Sequence, residues 1–196
     1  MPLSELLVLV EEYVRELYSA KVPLWRTFHN FHHTSEVVRH CRQLASHYGL
    51  NESESFALSA ASWFHDTGFS LGNKDHEQKS SEIARVFFTP YHIDKVVLVS
   101  IRDTIMATKL PANPKTISQQ ILCDCDLQHL ASAEYSKWSE ALRLEFEHQK
   151  GERFSDEKWN EENIAFLSSH EYFTEYAKKN WSQLKNINLM RLQSVL

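Results

Sequence analysis

Three clusters of imidazole and carboxylate side chains stand out in the sequence: His29, His32 and His33 in FHNFHHT, His65 and Asp66 in WFHDTG, and Asp124 and Asp126 in LCDCDLQHL. Imidazole nitrogen with carboxylate oxygen is the donor set of a divalent cation such as Mn, Mg, Fe, Co, Ni or Zn, with coordination positions left for water and substrate. Singly, each residue has a plainer reading as a hydrogen-bonded helix-end histidine or a capping aspartate, because buried polar groups are normally satisfied by neighbours. The adjacent pair poses a geometric question. Neighbours on a regular helix point about 100° apart, so His65 and Asp66 reach one object only if the helix ends at them, and Thr67 with Gly68 supplies such an end.

The elements that must carry these clusters read as helices. Four glycines and five prolines leave little turn material, and no internal repeat or linker interrupts the chain. A first amphipathic helix runs from Ser4 to about Ala20, and Pro23 stops it from continuing through KVPLWRTFHNFH. A second runs from about Thr34 to Tyr48, with Val37, Val38, Cys41, Leu44, Ala45 and Tyr48 on one stripe and Gly49 as its stop. The third, capped near Asn51 or Ser53, is apolar almost all round up to Phe64, which predicts a buried central helix with His65 and Asp66 at its inner end. After the loop TGFSLGNKDH, helices are expected over Glu77 to Phe88 and over IDKVVLVSIRDTIMAT. In the latter, Val96 to Val99 alone would suit a strand, but the spacing of Val97, Ile101 and Ile105 favours helix. Beyond the loop KLPANPKT come Ser118 to Cys125, Ala133 to Lys150, Ser155 to Ser168 and Thr174 to about Leu192. The expectation is an all-α domain of roughly eight helices.

The chain has 196 residues, 42% of them hydrophobic, enough for one sizeable core. A single domain over residues 1–196 is expected, with a motif core over about 28–130 and C-terminal helices over about 133–196. A net charge of −5 and a pI near 6.1 exclude a bulk basic field for nucleic acid polymers or anionic membranes, so a phosphate site must be local. Glu11, Glu12 and Arg15 break the apolar N-terminus, which lacks the form of an export signal. No run approaches the roughly 18 apolar residues of a membrane span. Cys41, Cys123 and Cys125 are a poor disulfide framework, and a reducing cytoplasm is the simplest setting.

Taken together, the motifs resemble those of the HD-domain metal-dependent phosphohydrolases, whose signature is H…HD…D on an all-α fold. FHNFHHT looks like the Y-H-N-x-x-H-T opening of one branch, with Phe28 at the usual tyrosine. WFHD matches that branch's central motif, and DHEQKSSEIA is similar to its N-E-x-x-S segment, with His76 where Asn is common. CDCDLQHL is similar to its closing D-x-D-L-x-x-L-G, with Ala131 in place of glycine. The metal ligands the resemblance implies are His33, His65, Asp66 and either Asp126 or Asp124, of which Asp126 is preferred because it precedes Leu127 as in the family motif; Asp124 then reads as a helix-terminal or supporting carboxylate. His29 and Asn30 either support a ligand or meet the substrate.

The chemistry implied is attack of a metal-activated water on a phosphate ester, in which one ion lowers the pKa of water and polarises a phosphoryl oxygen. Asp66 also helps position the water. Cations for the spreading phosphoryl charge are sought in Lys74, Arg102 and Lys109, each of which also reads as a solvated surface charge. Glu77 and Ser81, placed in the post-HD motif, are assigned a catalytic and a substrate role respectively, against the plainer reading of a helix N-terminal turn. The expected substrate and partner is a nucleotide or other small phosphorylated metabolite. Two alternatives stand beside it. A binuclear phosphodiesterase or di-iron oxygenase needs two further histidines, for which His76 and His92 lie 10 and 26 residues after Asp66. A binding module would keep the metal without turnover. His40 and His47 read as exposed or core-edge, and Cys123 and Cys125 as small buried residues. The aromatic tail, Trp159, Phe166, Tyr172, Phe173, Tyr176 and Trp181, reads as core packing or a homodimer surface.

Overall fold

The structure is a computed structural model and describes residues 1–195. It is all-helical, with no strand among the described residues. Nine α-helices are described: α1 (Leu3–Lys21), α2 (Phe31–His47), α3 (Glu52–Phe64), α4 (His76–Phe88), α5 (Lys95–Met106), α6 (Ile117–Asp126), α7 (Tyr135–Lys150), α8 (Asp156–Ser169) and α9 (Glu175–Gln193). None of them is long and apolar enough to cross a membrane. Val96 to Val99 lie inside α5, as the period of the longer segment demands. α2 begins at Phe31, earlier than its apolar stripe suggests, because Asn30 in extended conformation caps it by accepting from the backbone N–H of His33. The loop after Asp66 holds a 3₁₀ turn, Thr67–Leu71.

The chain divides into two compact units, residues 1–23 with 29–126 and residues 24–28 with 127–196. In the first, α3 is the centre and packs against α1, α2, α4, α5 and α6. Every residue from Phe56 to Phe64 is buried, which is the physical reason its sequence lacks a polar face. A capping box fixes its start: Asn51 accepts from the Glu54 N–H and Glu54 accepts from the Asn51 N–H. At its other end the Phe64 ring meets Tyr13, Phe87 and Phe88, anchoring the last turn before His65.

In the second unit α7, α8, α9 and a 3₁₀ turn, Gln128–Ala131, pack around Leu130, Tyr135 and Leu167. Trp159, Tyr172 and Trp181 are buried, so half of the six tail aromatics are core. Residues 24–28 join this unit through a buried ion pair, in which Arg26 Nη1 donates to Glu145 Oε1 at 2.6 Å. The Phe28 N–H donates to the second oxygen of the same carboxylate at 3.2 Å. Because both partners are removed from water, Glu145→Ala is expected to lower unfolding free energy by about 3–5 kcal/mol by leaving a buried guanidinium without its counter-charge. Arg26→Met with Glu145→Leu should recover most of that loss in urea melts. An equal loss in the double variant would sink the charge argument.

His170 in this unit has two buried ring nitrogens with no hydrogen-bond partner. Burial, and then the nearby Lys185 ammonium, push its pKa down to about 4. Between its ordinary 6.5 and about 4 the unfolded chain binds a proton that the folded chain refuses, so stability falls as pH drops through that window. The expected loss is about 1–2 kcal/mol after allowance for solvent screening. Urea titrations at several pH values should show His170→Phe with a flatter pH dependence than wild type.

Candidate metal centre

Three helix ends in the first unit deliver the ligands. His33 sits in the first turn of α2, placed there by the Asn30 cap. His65 is the residue that ends α3 and still has helical dihedrals. Asp66 has left the helix, with φ −107° and ψ 1°, in the sparsely populated region between helix and strand that recurs at functional sites. This change of backbone direction between neighbours lets two adjacent side chains face the same point. Asp126 is the last residue of α6.

Among the described residues, His33, His65, Asp66 and Asp126 form the one group of such donors whose ligand atoms all lie within 4.8 Å of one another. His33 Nε2 is 3.0 Å from Asp126 Oδ1 and 3.6 Å from Asp66 Oδ2. His65 Nε2 is 3.3 Å from Asp66 Oδ2 and 3.4 Å from Asp126 Oδ1. Two donors on one ion, each bonded at about 2.1 Å, sit about 3–4 Å apart, so the spacing fits a shared cation. His33, His65 and Asp66 are buried, whereas the Asp126 side chain is 25% exposed and opens the group to solvent.

The hydrogen bonding sharpens the point. His65 Nδ1 lies 2.8 Å from the Ser62 carbonyl oxygen. A carbonyl only accepts, so Nδ1 carries a proton and Nε2 is the ring nitrogen turned to the group. His65 Nε2 and Asp66 Oδ2 are both buried, and although they lie close to each other neither contact has hydrogen-bond geometry. Orphaned buried polar atoms of this kind are rare, and a divalent ion between them satisfies both. The two aspartates make the group a strongly negative environment. Burial alone would push the His65 pKa down, but the charges of Asp66 and Asp126 hold it well above its usual value. Burial would raise the two carboxyls, and the histidines hold both below the usual carboxylate range.

The HD domain family matches residues 30–130, a span that includes all four ligands. The chain belongs to the HD domain family. A comparison with curated proteins gives no match. In this HD domain the HD dipeptide is His65–Asp66, and His33 and Asp126 lie beside it.

The remaining candidates of the HD domain are spread more widely. His29 lies beside the group, its ring 6.2 Å from that of His33 and 4.3 Å from Phe69, while Asn30 is the α2 cap. Glu77 is buried at the start of α4. Ser81 turns its hydroxyl to the Gln78 carbonyl of its own helix. Of the three expected cations, Lys74 is exposed, Arg102 is paired with its neighbour Asp103, and Lys109 reaches Asp75 at 3.3 Å. Asp124 is fully buried and is not one of the four. Neither His76 nor His92 belongs to the group. Cys41, Cys123 and Cys125 are buried and free. His40 is buried at the edge of the core and His47 is exposed.

Two supporting residues were not singled out from the sequence. Ser80, fully buried, accepts from the Gly68 N–H at 2.8 Å and ties the turn after Asp66 to α4. Phe69 stacks on His76 with ring centres 4.0 Å apart. A signal for Ser80 exists in the spacing of His76 and Ser80, which share one helix face at i and i+4.

Proposed function

We propose that this HD domain is a metal-dependent phosphohydrolase that cleaves a phosphate ester of a nucleotide or other small phosphorylated metabolite. The observation that carries the reading is the orphaned pair of buried atoms, His65 Nε2 and Asp66 Oδ2, inside a two-histidine, two-aspartate group open to solvent only at Asp126. A bound divalent ion supplies a lowered pKa for water and a positive charge for the phosphoryl oxygens. The chain's own residues do the rest. His33 and His65 turn their Nε2 atoms to the group and hold their places through the Asn30 cap and the Ser62 carbonyl. Asp66 gives Oδ2 to the group and from there helps orient the attacking water. His29, whose ring lies 6.2 Å from that of His33, and Glu77, 3.6 Å from the His76 ring, are the groups assigned to meet the phosphate ester next. The net charge of −5 supports a small substrate over a nucleic acid polymer, and three free buried thiols suit a reducing cytoplasm.

The test is to load the purified chain separately with Mn, Mg, Fe, Co, Ni and Zn and to assay each form on bis(p-nitrophenyl) phosphate and on a panel of nucleotides and sugar phosphates. Release of nitrophenol or phosphate with at least one ion is the expected result. Ion uptake without hydrolysis of any ester on the panel would sink the enzymatic reading and leave a metal-retaining binding module.

A further inference from the structure

Asp66 faces two ways. Its Oδ2 lies in the ligand group, 3.3 Å from His65 Nε2, whereas Oδ1 points to α4, where His76 Nε2 stands 3.7 Å away. On its other side the His76 ring has Glu77 Oε2 at 3.6 Å from Nδ1. Each ring nitrogen therefore stands within 4 Å of a carboxylate oxygen, longer than a formed hydrogen bond. Such contacts are commonly long in ligand-free sites and tighten when the site is filled.

The ring is also fixed from outside. Phe69 stacks flat on it, the two planes 14° apart. Phe69 belongs to the turn that α4 grips through the Gly68 N–H and the Ser80 hydroxyl. A Cβ on Gly68 would come within 2.0 Å of the His76 carbonyl oxygen, which shows how closely the turn rests on the residue that opens α4. The backbone of His76 and its ring are thus both located by the segment that follows Asp66.

We propose that His76 is a positioning residue for Asp66: by donating from Nε2 to Oδ1 it sets the carboxylate plane and so keeps Oδ2 aimed into the ligand group. This inference rests on the phosphohydrolase reading for its catalytic consequence, but its effect on ion binding does not need turnover. Partners that orient a metal ligand are worth about 10–100-fold in affinity or activity.

Two variants separate the hydrogen bond from the packing. His76→Phe keeps a ring on Phe69 and removes both nitrogens. His76→Gln removes the ring and places an amide N–H near the position of Nε2. Ion affinity is read by competition of Mn or Zn against a chromophoric chelator, together with kcat, KM and thermal melts of the same samples. His76→Phe is expected to bind the ion about 10–100-fold more weakly and to lose kcat by a similar factor, with KM and the apo melting temperature close to wild type. His76→Gln is expected to recover most of the affinity. Wild-type affinity in His76→Phe overturns the proposal, and so does a loss in His76→Gln equal to that in His76→Phe. If wild type binds the ion yet cleaves no ester, the phosphohydrolase reading fails while the affinities still decide the role of His76. A wild-type chain that takes up no divalent ion overturns both.

Discussion

His65→Ala is expected to abolish divalent-ion uptake and, with it, hydrolysis of phosphate esters. His65 is fully buried, and its tautomer is set by the Ser62 carbonyl so that Nε2 faces Asp66 and Asp126. Removing it leaves one nitrogen and two carboxylates, a set that lacks the second imidazole a borderline ion prefers. The expected loss of ion affinity exceeds the roughly 100-fold that marks the upper range for a supporting residue. Stability separates this effect from simple unfolding. An ion that binds only the folded chain adds about 2.7 kcal/mol at a concentration 100 times its Kd, so the melting temperature of wild type should climb as ion is added and that of the variant should not. Truncating a buried side chain also costs about 2–5 kcal/mol through the cavity left behind, and Asp66→Asn provides the control. It preserves volume, removes one ligand charge and should lose the ion-dependent stabilisation with little change in apo packing. If His65→Ala melts at higher temperature on adding ion, to the same extent as wild type, the ligand assignment is wrong.

The same residues show what could be read without coordinates. α3 was legible because a helix buried on every side carries no polar face, and the nine buried residues from Phe56 to Phe64 leave no other reading of that run. The convergence of His33, His65, Asp66 and Asp126 was legible because their side-chain types are rare in such a setting and stand in the order of the HD family motifs. A lysine or arginine looks the same in sequence whether it faces a phosphate or an adjacent carboxylate, as Arg102 does with Asp103, so residue type alone does not assign a cation to the site. The Ser62 carbonyl has no side-chain signature at all, although it decides which nitrogen His65 presents. The attachment of residues 24–28 to α7 depends on a contact 117 residues apart in sequence, from Phe28 to Glu145, which no local pattern predicts.

Gly68→Ala is expected to be the most damaging single-methyl change in the first unit. The added Cβ would lie 2.0 Å from the His76 carbonyl oxygen and 2.8 Å from both the His76 carbonyl carbon and the Ser80 nitrogen. These are backbone atoms of α4, so no side-chain rotation relieves the clash and the turn itself must lift away. Lifting it breaks the Gly68 to Ser80 hydrogen bond, separates Phe69 from His76 and shifts Asp66 two residues upstream. Overpacking of a close-packed region costs about 1–3 kcal/mol and occasionally more, and the upper end or beyond is expected here, with ion affinity falling at least about 10-fold as the Asp66 support is lost. Gly49 supplies the comparison. It has φ +62° and open space around its Cβ position, so Gly49→Ala carries only the left-handed backbone penalty of about 1–2 kcal/mol and should leave ion affinity at the wild-type value. A Gly68→Ala chain that matches Gly49→Ala in both urea stability and ion affinity would show that the turn does not need its close seat on α4, and the positioning argument for Asp66 would lose its mechanical basis.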